Sequence, residues 1–503
     1  MAFPLGKPIL LMTAISLLGG AYYALHRDGP RKDCTLWVFA DSHYRDYQEY
    51  LRPQFERETG HSLGIDLVPL RALNMRLPVL FMSTTNAAEL PDALELDAGS
   101  IGRYFRPPTA DIGFLPLNHY LETSGFRRIA SLDAPGHKGW NARLIGDGRI
   151  YTYDGVRWIF NSGRQSPDAW IDRLLSSRLA PWSKDGVIFG VPHDVHPVTL
   201  CFRNDLFRAA GVPLVDDAGN STVPTWRELH AKCLQFQAYW HSRGYPTRHA
   251  MELSDARSDV LDMMLLQRHV NLVDPDGTVH INDPKVAQTL VFYVSLVSGE
   301  QRIGAEAPDD GGLEYNDIAQ GNLCALLTPD WKISSMRQQL PGMAGKMRMI
   351  PLPRFDPGDA PTSSFSGTMI GIPRGARNPD ESWKLIEFLY LSDAGLAERQ
   401  RSGILPPLHE EWSRPEYHQS DPFFGNQKVM ELYASLAPRV PVVYITPVMT
   451  MALGELSYVQ STAVHYARAH GPAGLEQRCQ GWLDEAAADL RRRIRQARFE
   501  PER

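Results

Sequence analysis

The sequence predicts an α/β fold with parallel strand pairing, and three stretches carry that expectation. Cys34–Ala40 (CTLWVFA) is a continuous apolar run of strand length, the pattern of a strand buried on both faces. Asp41-Ser42 punctuates it, and Tyr44–Thr59 then sets Tyr47, Leu51 and Phe55 at helical spacing, with Gly60 as a C-cap. Ser62–Leu67 alternates Leu63, Ile65 and Leu67 as a second strand. A strand, a helix and a strand in so short a span pair in parallel through a crossover.

The later elements follow the same logic. Leu90–Leu96 is a short apolar run ending in Asp97-Ala98-Gly99, and Val198–Phe202 (VTLCF) is strand-like. Asp205–Ala210 makes a helical turn closed by Gly211. Thr225-Trp226-Arg227-Glu228 has the form of a capping box, opening a helix that aligns Trp226, Leu229, Cys233, Phe236 and Trp240 on one stripe. Asn378-Pro379-Asp380-Glu381 starts another helix, with proline at its first position and acids in its first turn. A last helix, about 475 to 497, buries Leu475, Cys479, Trp482, Ala486, Leu490 and Ile494. Its arginines 491, 492, 493, 495 and 498 form a solvated face suited to the helix dipole.

Composition narrows the function. The 503 residues are 43% hydrophobic and 22% charged, which excludes disorder and a polytopic membrane protein. A net charge of −6 argues against a general nucleic-acid binder. The 5 cysteines include no Cys-x-x-Cys and are too few for a disulfide scaffold. At the N-terminus, Ile9–Leu18 is apolar after Lys7 and leads to Gly19-Gly20-Ala21, a secretory signal with a cut after Ala21. The competing reading runs the apolar stretch on to Leu25 as an uncleaved anchor. Arg31-Lys32-Asp33 before Cys34 does not fit a lipoprotein signal.

Catalytic motifs fail. His409-Glu410-Glu411-Trp412-Ser413 lacks the second histidine of a zincin helix, and neither a nucleophile elbow, a phosphate loop nor a dinucleotide fingerprint is present. In an exported α/β chain this shifts the expectation toward binding rather than catalysis, with no metal and no cofactor.

Several segments, in order, resemble a known family. Gly190–Val212 (GVPHDVHPVTLCFRNDLFRAAGV) is similar to the hinge segment of extracellular solute-binding proteins of carbohydrate-uptake ABC transporters, the family-1, maltose-binding-protein-like class. Pro224-Thr225-Trp226, Asn316–Met336, Ser366–Pro373 with Asn378–Leu391, and Leu90–Gly99 resemble other stretches of that family. Departures are a long segment at Gly136–Asp185, which carries Trp140, Tyr151, Trp158 and Trp182, and the altered turn Leu326–Asp330. The resemblance implies a two-lobed periplasmic-binding-protein fold, each lobe a sheet flanked by helices, joined by crossover strands. It divides the chain into a signal or anchor with linker (1–33), lobe one (35–194 and 358–405) and lobe two (195–357 and 406–503).

Ligands of open parallel sheets lie beyond the C-terminal strand ends, and pockets favour lobe interfaces. Asp41, Ser42 and Tyr44 follow the first strand and are candidate ligand contacts, with an N-cap role as the alternative for the first two. Asp97 ends another strand of that lobe. Asp194 and His196 lie at the crossover, to bond ligand hydroxyls or to brace the lobes. Ser366 and Gly367 begin a returning strand, where the glycine otherwise makes a tight turn. Trp331 follows the apolar run Leu323–Leu327, and in the resembled family a tryptophan at this turn stacks on sugar; the alternative is a core residue. Trp158 and Trp182 are read as packing.

The expected function is capture of a mono- or oligosaccharide between the lobes and its delivery to an ABC permease. Nothing points to nucleic acid, the membrane is touched only through the N-terminal segment, and the chain is expected to be a monomer in the periplasm or tethered outside the inner membrane. The alternatives are a binder of a glycerophosphodiester or polyamine and a secreted polysaccharide-active enzyme.

Overall fold

The computed structural model describes residues 32–82, 89–106, 109–123, 151–153, 158–160, 170–307 and 313–498. The secretory or anchor segment and residues 136–150 of the long segment therefore lie outside the described residues, as do the side chains of Tyr151 and Trp158. Two sheets organise the chain. Their strands are β1 Cys34–Val38, β2 Leu63–Leu67, β3 Ala93–Asp97, β4 Val191–Pro192, β5 Val198–Arg203, β6 Ala325–Pro329, β7 Met347–Pro351 and β8 Thr368–Gly371.

The first sheet runs β2-β1-β3-β8-β4, with β1 parallel to both β2 and β3 and β8 antiparallel to β3 and β4. β1 lies between β2 and β3, and its side chains enter a core on each face: Leu36 and Val38 on one, Trp37 on the other. β3 starts three residues later than the apolar run predicts. Pro91 has no N–H to donate to a ladder, and Asp92 spends its carboxylate on the Thr35 N–H (2.8 Å) and on Arg377 (2.7 Å). Helix α1 (Asp41–Asp46) begins earlier than the apolar spacing indicates and continues through a π turn, Tyr47–Leu51, into α2 (Arg52–Thr59). Its N-cap is Ala40, without a side-chain cap, so Ser42 sits inside the first turn rather than capping it. Gly60 closes α2 at φ 74°, a left-handed conformation suited to glycine.

The second sheet is antiparallel, β6-β5-β7. β5 is buried throughout, with Leu200 and Phe202 in one core and Cys201 in the opposite one. Helix α3 (Trp226–His241) packs on the first of these cores behind the expected capping box: Thr225 Oγ1 accepts from the Glu228 N–H, and the Glu228 carboxylate accepts from the Thr225 N–H. α4 (Pro379–Ile386) has Asn378 as its cap. α5 (Met449–His470) and α6 (Leu475–Arg498) complete the second lobe's larger core. Trp182 is fully buried in the first lobe, as packing requires.

Three passages join the sheets. The first runs from β4 to β5, and the second from β7 to β8 beside it, with Thr362 Oγ1 accepting from the Val198 N–H at 2.9 Å. The third is 403–408, where the Val195 N–H donates to the Leu405 carbonyl. All 5 cysteines are buried and free, and burial pushes Cys34 up to about 11 and Cys324 and Cys479 up to about 12. Among the described residues no helix is long and apolar enough to cross a membrane.

Candidate functional site

The passages carry a buried chain of ionisable groups. Asp194, in the first passage, accepts from Arg178 Nη2 at 3.1 Å and from the Thr368 N–H at 3.1 Å. His196 Nε2 lies 3.1 Å from Asp194 Oδ2, and its Nδ1 lies 2.6 Å from Asp330 Oδ1. Asp330, just past β6, also accepts from the Trp331 N–H (2.9 Å) and from the Leu405 N–H of the third passage (2.7 Å). One imidazole thus ties the end of the second sheet to the first passage, and Asp330 ties it to the third.

Electrostatics fixes the charge state. Burial lowers the affinity of His196 for a proton, but Asp194 and Asp330 on either side overcome this and raise its pKa to about 9. Burial opposes ionisation of Asp194, yet His196, His193 and Arg178 hold its carboxyl well below the usual range. His193 is driven down to about 3, first by burial and then by the charge on His43. The geometry around this chain is glycine-dependent: Gly367 has φ 144°, and a Cβ there would fall 2.0 Å from Arg178 Nη2. Ser366 and His196 themselves take positive φ, 65° and 53°.

A second buried cluster lies in the first lobe. Glu95, fully buried in β3, accepts from Tyr47 (2.8 Å) and Tyr390 (2.7 Å), and His43 Nδ1 lies 2.9 Å from it. The His43 ring packs against His193 with centroids 4.4 Å apart, which joins the two clusters. Burial lowers and Glu95 raises the His43 pKa, and the net shift is upward.

Beside the passages, a cavity of about 230 Å³ opens in the second lobe. Trp331 and Phe365 form its aromatic wall, their rings stacked at 6.4 Å and 20°. Glu252, Arg257, Asp259 and Lys332 supply its charged groups, with Arg257 paired to Glu306 at 3.3 Å. Trp331 is half-buried, placed at the end of β6 by the Pro329-Asp330 turn.

The expected site residues therefore separate. Asp194, His196, Ser366 and Gly367 come together at the passages, with Asp194 and His196 buried and bonded to protein groups. Asp97 lies next to them, opposite Thr368 in the ladder; its Oδ2 caps the Gly99 N–H, and its buried Oδ1 has no hydrogen-bond partner among the described residues. Trp331 lines the cavity. Asp41 and Ser42 are exposed, Asp41 pairing with Arg45 at 3.1 Å, and Tyr44 packs on the first lobe's core. Sequence spacing missed His43, Glu95 and Asp330. The one available signal was Glu95, a charge inside an otherwise apolar strand, which requires buried partners.

Residues 158–395 match the family profile described as bacterial extracellular solute-binding protein. Over 254 residues the chain is 21% identical to the arabinooligosaccharide-binding protein of Bacillus subtilis, covering 50% of this chain and 56% of that one. Over 288 residues it is 22% identical to the lactose-binding protein of Rhizobium radiobacter, covering 55% and 64%. The chain thus spans less than two thirds of either relative's length. The fold is similar to that of the sugar-binding protein MalE from Xanthomonas citri at a TM-score of 0.66 and 19% identity, covering 92% of this chain and 99% of that one. Two sheets, three passages between them and a profile match across the junction agree: over residues 158–395 the chain is similar to the bacterial extracellular solute-binding proteins, and its two-lobed fold is theirs.

Proposed function

We propose that this protein binds a mono- or oligosaccharide between its lobes and hands it to an ABC import permease, acting outside the cytoplasm, as a monomer and without turnover. The observation that carries the reading is the Trp331–Phe365 wall on a cavity beside the passages. An aromatic face suits the C–H side of a sugar ring, and convergent polar groups suit its hydroxyls. Asp97 Oδ1, a buried acceptor with no partner among the described residues, fits a ligand hydroxyl as donor. The cavity's cations, Arg257 and Lys332, stand among the acids Glu252 and Asp259, a balance that favours a neutral polyol over a phosphodiester. The relatives' arabinooligosaccharide- and lactose-binding names support the same class.

A thermal-shift screen over mono- and oligosaccharides, polyols, polyamines and glycerophosphodiesters tests it. A sugar at 100 times its dissociation constant adds about 2.7 kcal/mol of stability. Stabilisation by a phosphodiester or polyamine alone, or turnover of an oligosaccharide, would replace this reading.

A further inference from the structure

Residues 440–448 have neither helix nor strand up to a closing turn, yet most of them are buried. Both ends belong to the second lobe: Val440 packs in its core on one face of the second sheet, and Val448 in its core on the other. Asn271, also of that lobe, clamps the segment from within. Its side-chain amide donates to the Val442 carbonyl at 3.0 Å, and its oxygen accepts from the Tyr444 N–H at 3.0 Å. Between these anchors the side chains turn to the other lobe. Tyr444, 3% exposed, lies in the first lobe's core with β1 and β3, Val442 packs against the same core, and Ile445 packs against the core on the sheet's opposite face.

The strap lies close against Gly102, in the helical turns after β3. A Cβ at this position would fall 2.6 Å from the Thr446 carbonyl oxygen and 3.0 Å from Ile445 Cγ2. The backbone of Gly102 is right-handed helical (φ −54°, ψ −35°), so no conformational demand explains a glycine. The space taken by the strap does.

We propose that 440–448 is a strap that holds the two lobes together independently of ligand, with Tyr444 as its plug and Gly102 as its seat. The three covalent passages set the axis of opening, and the strap adds a contact that must break before the cleft can open. Solute entry then follows release of Tyr444, and the ligand-free protein rests closed. Burying an aromatic ring across the lobes favours the closed state, and a ligand only adds to that preference.

Gly102→Ala tests the strap with opposite signs. The three nearest atoms to the new methyl all belong to the strap. If the strap is seated in solution, the substitution lowers the Tm of the full-length, ligand-free protein and enlarges its radius of gyration by scattering. If the strap is not seated, alanine in a helical turn raises the Tm or leaves it alone, because it reduces the freedom of the unfolded chain, and the radius is unchanged. That second result overturns the proposal. Asn271→Ala carries the test should Gly102→Ala fail to fold: loss of the clamp enlarges the ligand-free radius of gyration, and an unchanged radius in this variant also overturns it. Neither measurement needs a sugar, so failure here is distinct from failure of the carbohydrate reading.

Discussion

His196 stands between two carboxylates from different parts of the chain, 3.1 Å from Asp194 and 2.6 Å from Asp330. Its pKa rises from 6.5 to about 9 on folding, so the folded state holds the extra proton between those values. The stabilisation is complete below pH 6.5 and is lost as pH climbs to about 9, at up to about 1.4 kcal/mol per pH unit. The stability difference between wild type and His196→Gln, from denaturant melts, should therefore shrink across this window. A difference independent of pH would remove the charged bridge.

His193 gives the opposite limb. Its pKa falls from 6.5 to about 3, so the unfolded chain takes up the proton first and stability drops as pH decreases through that range. His193→Gln should flatten this acid limb relative to wild type. An unaltered limb would place the acid sensitivity elsewhere.

Gly367→Ala should destabilise by more than about 2 kcal/mol, since the methyl enters the space of the buried Arg178 guanidinium at a φ few L residues adopt. Gly342→Ala, with nothing among the described residues within 4 Å of the added carbon, is the control and should change stability by less than about 1 kcal/mol. Equal effects in thermal melts would show that the passage tolerates the side chain.

Trp331→Ala should separate ligand affinity from folding. A half-buried ring leaves less behind than a core tryptophan, so the ligand-free protein should lose less than the roughly 3–5 kcal/mol typical of the core. Affinity for the sugar found by thermal shift should fall by about 2 kcal/mol, roughly thirtyfold. A large loss of ligand-free stability with unaltered affinity would make Trp331 a packing residue.

Asp97 has one oxygen spoken for and one buried without a partner among the described residues. Asp97→Asn retains an acceptor for the Gly99 N–H, so melting should move little while calorimetric affinity falls. Asp97→Ala also loses the cap, at a cost of about 1 kcal/mol. Affinity equal to wild type in both would exclude Asp97 from the site.

What the sequence reveals is local. β1 is a run of neighbouring apolar residues, the Thr225–Glu228 box is four residues long, and Asn378 caps α4 from the position before its proline; each is legible because its partners are close in sequence. The site is built otherwise. Glu95 receives Tyr390 from 295 residues away, and His196 meets Asp330 from 134. No spacing rule connects such residues, because the sheet order that brings them together is set by packing of whole elements. The same reason hid Tyr444, which reads as one more apolar residue in a Pro- and Val-rich stretch and is legible only once both cores are placed. Resemblance pointed to the hinge segment and to Trp331 as candidates, while the residues that clamp the passages came only from three dimensions.

The five buried thiols have a consequence for biogenesis. In the folded chain each is shielded and held protonated by burial, and so is inert toward oxidants. Outside the cytoplasm, an unfolded chain would present all of them to an oxidising environment. Any disulfide formed at that stage would be non-native and would have to be undone before Cys201, Cys233 and Cys324 could enter the second lobe's cores. The native protein should be indifferent to oxidant, whereas its yield on refolding should depend on reductant. For a chain exported as proposed, the speed with which the second lobe hides its sulfur would be a kinetic demand distinct from its final stability.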